Sequence, residues 1–217
     1  MLSKRLIGLF MFLGPILAVI MIILEQSYGR GGDSPFAEQL KAMSDNYAIA
    51  SISSIGFAIA ILTIFIGIHA LARSMQGENK PGSDLAGLAS IFAILIAGIY
   101  MVSLGLELIA TERASEWTQQ GGDAINAFAI SEAITRSIFV FNSLVILFLG
   151  SAILIQKNMS KVVGGLLTFF GICGLFGGIF SAGDNWAGMI WLVGFLGFPI
   201  MTSVTGFLIL REARKST

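Results

Sequence analysis

The chain has 217 residues, of which 55% are hydrophobic and only 12% are charged. Soluble domains carry about 25% charged residues, so this composition excludes an ordinary soluble surface and predicts that the protein lies in a lipid bilayer. The net charge is zero, which argues against a nucleic-acid partner. The single cysteine, Cys173, excludes an intrachain disulfide.

Six apolar stretches of membrane-spanning length follow one another along the chain. At about 20 residues per crossing, six spans and their connections use nearly the whole sequence, which predicts one transmembrane domain over residues 1–217. Only helices and closed barrels satisfy their backbone groups in lipid, and long runs without period-two alternation favour helices. The predicted fold is therefore an all-α polytopic bundle. Its six spans are predicted at residues 6–24, 48–72, 85–110, 128–155, 162–181 and 186–210.

The basic residues predict how the spans are oriented. Nine of the thirteen lie at the two termini and in the connections near residues 73–84 and 156–161: Lys4, Arg5, Arg73, Lys80, Lys157, Lys161, Arg211, Arg214 and Lys215. Because Lys and Arg are enriched on the cytoplasmic side, both termini are predicted to be cytoplasmic. Ten of the thirteen acidic residues then lie on the other side and predict an acidic outer face.

Two of the outer connections are long. Residues 25–47 contain several glycines and Pro35, followed by a helix-like run from Phe36 to Met43. Residues 111–127 include Asp123, a residue type suited to cap the helix that follows. We expect each connection to lie on the membrane surface or to form a small cap.

Small residues mark the predicted helix contacts. On the second span they recur at alternating spacings of three and four, a period typical of left-handed packing. This seam consists of Ser53, Gly56, Ala60, Thr63, Gly67, Ala70 and Ser74. On the fifth span, Gly174 and Gly178 form a small-xxx-small pair, which suits either contacts within the bundle or a homodimer face. We favour contacts within the bundle.

One polar cluster is predicted near the outer ends of the third and fourth spans. Glu107 lies well inside an apolar run, and ionisable residues in a membrane are functional candidates by default. Arg136 lies at a comparable depth, and Glu132 precedes it by four residues, the favourable order for a helical ion pair. The favoured interpretation is a structural ion cluster that joins two helices. The alternative is a cluster that lines an outward-open cavity, with Asn142 deeper on the fourth span.

No catalytic, metal or cofactor site is predicted. The only histidine, His69, lies on the bulky face of the second span and is expected at the inner interface. The sequence contains no phosphate-binding glycine loop, HExxH, CxxC or G-x-S-x-G motif. An enzyme would need an intramembrane site, and one acting on lipid would need a polar cluster that opens sideways, which the sequence does not reveal.

One region resembles a known family. The run FLGSAILIQKNMSKVVGGLLTFFGICGL, from Phe148 to Leu175, is similar to a prokaryotic group of six-span membrane proteins, the domain of unknown function 4386. The likeness lies in the polar-basic link from Gln156 to Lys161 and in the glycine-bearing span that starts near Gly164. The polar start of the second span around Asn46 is also similar. A Pro-Arg pair typical of this link is replaced by Ser160-Lys161. The resemblance implies a prokaryotic cell-membrane protein and supplies no catalytic residues.

Two functional hypotheses follow. The leading one is a non-enzymatic accessory, sensor or interaction module that contacts a membrane-protein partner or a second copy of itself. The alternative is a small-solute or ion carrier, entered from the acidic outer face, that uses Glu107, Arg136 and Asn142. A cavity that reaches past Asn142 toward the middle of the membrane would favour the carrier.

Overall fold

The computed structural model describes residues 2–30, 34–112, 123–180 and 185–215. These ranges contain seven α-helices and no strand. The helices are α1 (Lys4–Ser27), α2 (Phe36–Asp45), α3 (Tyr47–Ser74), α4 (Ser83–Glu112), α5 (Ala124–Gln156), α6 (Lys161–Phe180) and α7 (Asn185–Lys215). All except α2 are long and apolar enough to cross a membrane. The predicted six-span helical fold is confirmed, and most helices extend a few residues beyond the predicted spans.

The six spanning helices form a ring. Each packs mainly against the spanning helices before and after it in the chain, and α7 closes the ring by packing against α1. Contacts across the ring, such as those between α5 and α7, are few. Because consecutive spans run in opposite directions, the ring has two distinct ends. We call them the Glu107 end, where α1 and α4 finish, and the Gln156 end, where α3 and α5 finish.

The contact between α1 and α3 depends on close approach at small residues. A methyl group on Gly56 would overlap the side chain of Met21, and one on Gly67 would lie 2.7 Å from Cγ of Met11. Ala60, on the same face, is fully buried. The structure therefore brings three members of the predicted seam against α1. Further along the seam, Thr63 donates a hydrogen bond back to the carbonyl of Ile59 in its own helix.

The glycine pair of α6, Gly174 and Gly178, lies where this helix packs against its neighbours in the ring, α5 and α7. A methyl group on Gly174 would overlap Ser143 of α5, and one on Gly178 would lie 2.7 Å from Cγ2 of Val140, also on α5. On the opposite side, Gly174 approaches the backbone of Gly194 in α7 so closely that a side chain on Gly194 would overlap it. These glycines therefore serve contacts within one chain.

The interior of the ring is filled at the Gln156 end. Large apolar side chains from three helices and the α3–α4 connection are buried there: Met11, Phe65, Ile68, Met75, Leu149 and Ile153. The α3–α4 connection covers this end, because Gln156 Nε2 donates a hydrogen bond of 2.6 Å to the carbonyl of Met75. Gly82 has a left-handed backbone (φ 75°) and lies against Ala152, where a side chain would be strained.

The short helix α2 covers the Glu107 end. Leu40 and Met43 are buried against the ends of α3, α4 and α5, and the ring of Phe36 meets Phe128 edge-on at 5.9 Å. The cap interpretation of the first long connection therefore holds for α2. In the second, residues 113–122 lie outside the described residues. The predicted cap by Asp123 is confirmed, because its carboxylate accepts a hydrogen bond of 3.0 Å from the backbone N–H of Asn126.

Candidate functional site

A guanidinium and a carboxylate form the centre of the polar cluster at the Glu107 end. Arg30 follows α1, and Glu107 projects from the penultimate turn of α4. Arg30 Nη1 donates to Glu107 Oε1 at 2.7 Å, and Nη2 donates to Oε2 at 2.8 Å. This two-pronged geometry is the strongest form of a carboxylate–guanidinium pair. The two side chains are nearly buried, with 12% and 9% of their surfaces exposed.

Two further carboxylates converge on the same guanidinium. Glu132 of α5 accepts from Arg30 Nη2 at 3.0 Å, and Glu25 of α1 accepts from Nη1 at 3.2 Å. The guanidinium carbon also lies 5.7 Å from the centre of the Phe128 ring, within range of a cation–π contact. One arginine therefore joins α1, α4 and α5.

Hydroxyl groups connect α3 to this cluster. Ser54 Oγ donates a short hydrogen bond to Glu107 Oε1. The hydroxyl of Ser53, the residue directly before Ser54, is hydrogen-bonded to that of Tyr28 at 2.9 Å. With these contacts the cluster, which consists of Glu25, Arg30, Ser54, Glu107 and Glu132, links four of the six spanning helices.

The electrostatics of the cluster keep its guanidinium charged. Burial by itself lowers the pKa of Arg30, but the neighbouring carboxylates of Glu107 and Glu25 raise it well above its usual range. Burial raises the pKa of Tyr28, which keeps that phenol protonated. The carboxylates of Glu107 and Glu132 alone outnumber the single guanidinium, so the cluster carries an excess of negative charge.

The structure pairs the predicted carboxylates with a different arginine. Glu107 and Glu132 lie close together, as the sequence predicted, but their shared cation is Arg30 rather than Arg136. Arg136 is exposed on α5, and no ion pair joins it to another residue in the described ranges. Helical spacing suggested Arg136, whereas Arg30 approaches from a connection whose path has no periodic signal. The sequence did contain one indication of a further cation. Several acidic residues are predicted at the same end of the bundle, and a group of carboxylates there needs a positive partner.

A cavity of about 300 Å³ lies directly beneath the cluster. Its polar wall includes the three carboxylates, Arg30, Arg136, Gln39, Ser103 and Thr135. Its aromatic wall consists of Phe57, Tyr100, Phe139 and Phe195. Ser103 and Ser131 hold α4 and α5 together beside it, each hydroxyl lying 2.8 Å from the other residue's carbonyl.

The polar part of the cavity ends at a pair of aromatic rings, and a wholly apolar pocket of about 230 Å³ continues from there toward Ala18 and Ile64. Phe139 of α5 and Phe195 of α7 meet edge-on with ring centres 5.2 Å apart. Asn142 lies beyond them, in a separate space of only about 10 Å³. Its side chain is buried, and its Oδ1 atom has no hydrogen-bond partner among the described residues. The structure therefore separates Asn142 from the other three predicted site residues.

The cavity also opens sideways. Five of its lining residues continue into a groove of about 600 Å³ between α5 and α7: Glu132, Thr135, Arg136, Phe139 and Phe195. The groove continues along Val140, Gly178 and Trp191. A polar cluster that opens toward the flank of the ring was not apparent in the sequence, because its members lie on α1, α4 and α5 and in the connection after α1.

The histidine lies far from this cavity, near the Gln156 end. His69 Nδ1 is 2.8 Å from Ser90 Oγ, which joins α3 to α4. Within the described ranges, no group of three or more His, Cys, Asp and Glu side chains is arranged to hold a metal ion.

Comparisons of the chain with family models, curated proteins and solved structures find no match.

Proposed function

We propose that this protein is a non-enzymatic membrane module that binds a ligand in the cavity at the Glu107 end and acts as a sensor or as an accessory subunit. The observation that carries the proposal is a cavity of about 300 Å³ whose polar part ends at Phe139 and Phe195. Ligand sites combine apolar walls with a few fixed polar groups, and this cavity has both.

The apolar floor of the cavity favours a binding module over a carrier. A carrier needs a path that continues from the binding site toward the opposite side. Below the two phenylalanines, Val145, Ile146 and Leu149 of α5 are buried with almost no exposed surface. The space that continues past the cavity on the side of α1 and α3 is a pocket of about 230 Å³ lined only by apolar side chains, such as Ile64 and Phe198, and it offers no polar group to a small solute or ion.

We further propose that the Glu107 end faces the outside of a prokaryotic cell, with both termini in the cytoplasm. The basic residues at the other end support this orientation, because Lys and Arg are retained on the cytoplasmic side. Glu25, Ser54, Glu107 and Glu132 each lie about 20–24 residues from the opposite end of their helix. At about 1.5 Å per residue, that distance is about 30–36 Å, close to the thickness of the hydrocarbon layer. The cluster would then lie at the outer interface.

The test uses thiol accessibility on one face of α5. Thr135 and Asn142 lie two helical turns apart on the same side of α5, above and below Phe139. We would replace Cys173 by Ala and introduce Thr135→Cys or Asn142→Cys. Each variant would be treated in intact cells and in inverted vesicles with a charged, membrane-impermeant thiosulfonate. We expect Thr135→Cys to react only in intact cells and Asn142→Cys to react in neither preparation.

Three results would count against the proposal. An unreactive Thr135→Cys would mean that the cavity does not admit a polar molecule, and reaction only in inverted vesicles would reverse the orientation. Reaction of Asn142→Cys in both preparations would favour a carrier instead. The specific observation in favour of that second candidate is Asn142 itself, whose buried, unpartnered Oδ1 lies immediately beyond the aromatic floor.

A further inference from the structure

The groove between α5 and α7 changes character along its length. Glu132, Thr135 and Arg136 form its polar part, next to the cavity. Phe139, Val140, Gly178, Trp191 and Phe195 form its apolar part. Along α5 the two parts follow one another within about two helical turns, or about 11 Å. A molecule that fits this groove has a polar head beside Arg136 and an apolar body beside Trp191.

The charged residues in the polar part of the groove indicate which chemical groups the head of the bound molecule carries. Arg136 is exposed and has no ion-pair partner among the described residues, so it offers a guanidinium to an anionic group. Phosphate is well matched to the planar guanidinium fork. Glu132 uses Oε1 to accept from Arg30, and Glu25 also uses only one oxygen on that guanidinium. Their remaining carboxylate oxygens can accept hydrogen bonds from an ammonium group.

The excess of negative charge favours a cationic group in the same head. Around Arg30, the carboxylates of Glu107 and Glu132 alone already outnumber the one guanidinium that they share. A ligand that placed only an anion there would neutralise Arg136 but leave the carboxylates in excess. A head that carries both a phosphate and an ammonium pairs with Arg136 and with a carboxylate at once, and it adds no net charge to the site. Glu132 and Arg136 are one helical turn apart, with Cβ atoms separated by about 5–6 Å, a spacing that a two-carbon linker between phosphate and ammonium can span.

We infer that this groove and the adjoining cavity bind a zwitterionic phospholipid with a primary ammonium head. Its phosphate contacts Arg136, its ammonium contacts Glu132 and Glu25, and an acyl chain lies along the apolar part of the groove. The inference rests on the proposed function, because it names the class of ligand for the same cavity. It also assigns a partner to Arg136, the exposed arginine near the outer end of α5.

The position of Arg136 agrees with a phospholipid head. Arg136 lies 20 residues from Gln156 at the other end of α5. This separation is about 30 Å along the helix, which matches the thickness of the hydrocarbon layer. The guanidinium is then at the level of the phosphates when the Gln156 end lies at the opposite interface.

Native mass spectrometry of the full-length protein tests the inference. The protein would be equilibrated with equimolar phosphatidylethanolamine, phosphatidylglycerol and phosphatidylcholine, all with palmitoyl and oleoyl chains, and retained lipid would be counted. We expect phosphatidylethanolamine to be retained at least fivefold over both others. Phosphatidylglycerol has no ammonium, and the quaternary group of phosphatidylcholine donates no hydrogen bond.

Three variants distinguish the contribution of the phosphate from that of the ammonium group. Arg136→Gln should lower the retention of phosphatidylethanolamine at least tenfold. Glu132→Gln should instead lower the preference for phosphatidylethanolamine over phosphatidylcholine at least threefold. Arg211→Gln removes an exposed arginine at the other end of the molecule and should change neither quantity. Circular dichroism and melting temperature would establish that each variant is folded.

Equal retention of the three lipids by the wild-type chain would overturn the inference. Unchanged retention of phosphatidylethanolamine by Arg136→Gln would also overturn it, because the arginine would then only extend toward the interface. Neither result would contradict the proposed function if Thr135→Cys still reacted from one side. In that case the cavity would take a water-soluble ligand.

Discussion

The two ends of the ring interior use different means to hold the same six helices together. At the Gln156 end, Phe65, Ile68 and Leu149 are among the buried apolar side chains that fill the space. At the Glu107 end, one guanidinium is shared by three carboxylates above a cavity of about 300 Å³. The filled end depends on many small contacts, and the open end depends on one shared cation.

This difference explains why the open end can contain a cavity. Dispersion contacts are individually small, so an apolar interior is stable only when it is closely packed. An ion cluster with two-pronged geometry holds its helices at fixed positions without filling the space below them. The cluster is therefore a support for the cavity as well as part of its wall. Variants at each end should show whether the two ends differ in this way.

The largest expected effect is at the shared cation. Arg30→Ala removes the partner of Glu25, Glu107 and Glu132 and leaves three carboxylates near one another. Loss of one partner of a buried ion pair costs about 3–5 kcal/mol, and we expect a decrease in the free energy of unfolding in this range. Unfolding in mixed micelles by titration with sodium dodecyl sulfate would measure it.

Arg136→Ala is the matched control for this loss. It removes a second arginine from the wall of the same cavity, but one without an ion pair to a described residue, so we expect a change of less than about 0.5 kcal/mol. Arg30→Ala combined with Glu107→Leu should recover part of the lost stability, because the most buried carboxylate is then removed too. Equal losses for the two single arginine variants would contradict the distinction between them.

The sequence was sufficient to predict the spans because a bilayer imposes a strong constraint. Twenty consecutive apolar residues have few alternatives to a spanning helix, and each of the six predicted stretches is a helix. The alternating small residues also predicted a packing face, and Gly56 and Gly67 lie against α1. The ring order was not predicted, because a pattern of small residues does not specify which helix faces it.

The sequence was sufficient to predict the carboxylates of the site but not the arginine that pairs with them. Glu107 was recognisable because a charge inside an apolar run is rare. Arg30 lies in a glycine-rich connection, and such segments have no periodicity that fixes the direction of a side chain. Asn142 was recognised as polar and buried, but its separation from the cavity depends on Phe139 and Phe195, which meet from two different helices.

The next largest effect on stability is expected from a comparison of two aromatic residues of α3. Phe65 at the filled end is fully buried and stacks on Phe198 with ring centres 6.0 Å apart, whereas Phe57 borders the cavity. Because truncation in a packed core leaves a void, Phe65→Ala should cost about 3 kcal/mol. Phe57→Ala enlarges a space that already exists and should cost about 1 kcal/mol. The same unfolding titration measures both, and equal costs would show that the open end is packed as tightly as the filled end.

A smaller effect is expected where α6 meets α7, between the two ends. A methyl group on Gly194 would overlap the backbone of Gly174, which no change of side-chain conformation relieves. Gly194→Ala should therefore cost about 1–3 kcal/mol. Gly188, on the same helix, has open space at this position, so Gly188→Ala should be neutral or stabilising by up to about 1 kcal/mol. Equal stabilities of the two variants would mean that the contact with Gly174 is not tight.

The smallest predicted effect is a difference in the contribution to stability of two serines, one at each end of the ring. Ser54 and Ser90 are both buried and both join α3 to α4, but Ser54 donates to the carboxylate of Glu107, whereas Ser90 contacts the imidazole of His69. Hydrogen bonds to charged groups contribute about 1.5–3 kcal/mol, and interhelical hydrogen bonds in membranes average about 0.6 kcal/mol. We therefore expect Ser54→Ala to cost about 1.5 kcal/mol and Ser90→Ala about 0.6 kcal/mol.

A double-mutant cycle would assign this difference to the charge on Glu107. In a Glu107→Gln background the acceptor of Ser54 is neutral, so the cost of Ser54→Ala should fall to about 0.6 kcal/mol. The cost of Ser90→Ala should stay the same in that background, because Ser90 lies at the other end. If the cost of Ser54→Ala does not fall, its contribution comes from packing. The open end would then be held by the same means as the filled end, and the cluster would have no separate role in supporting the cavity.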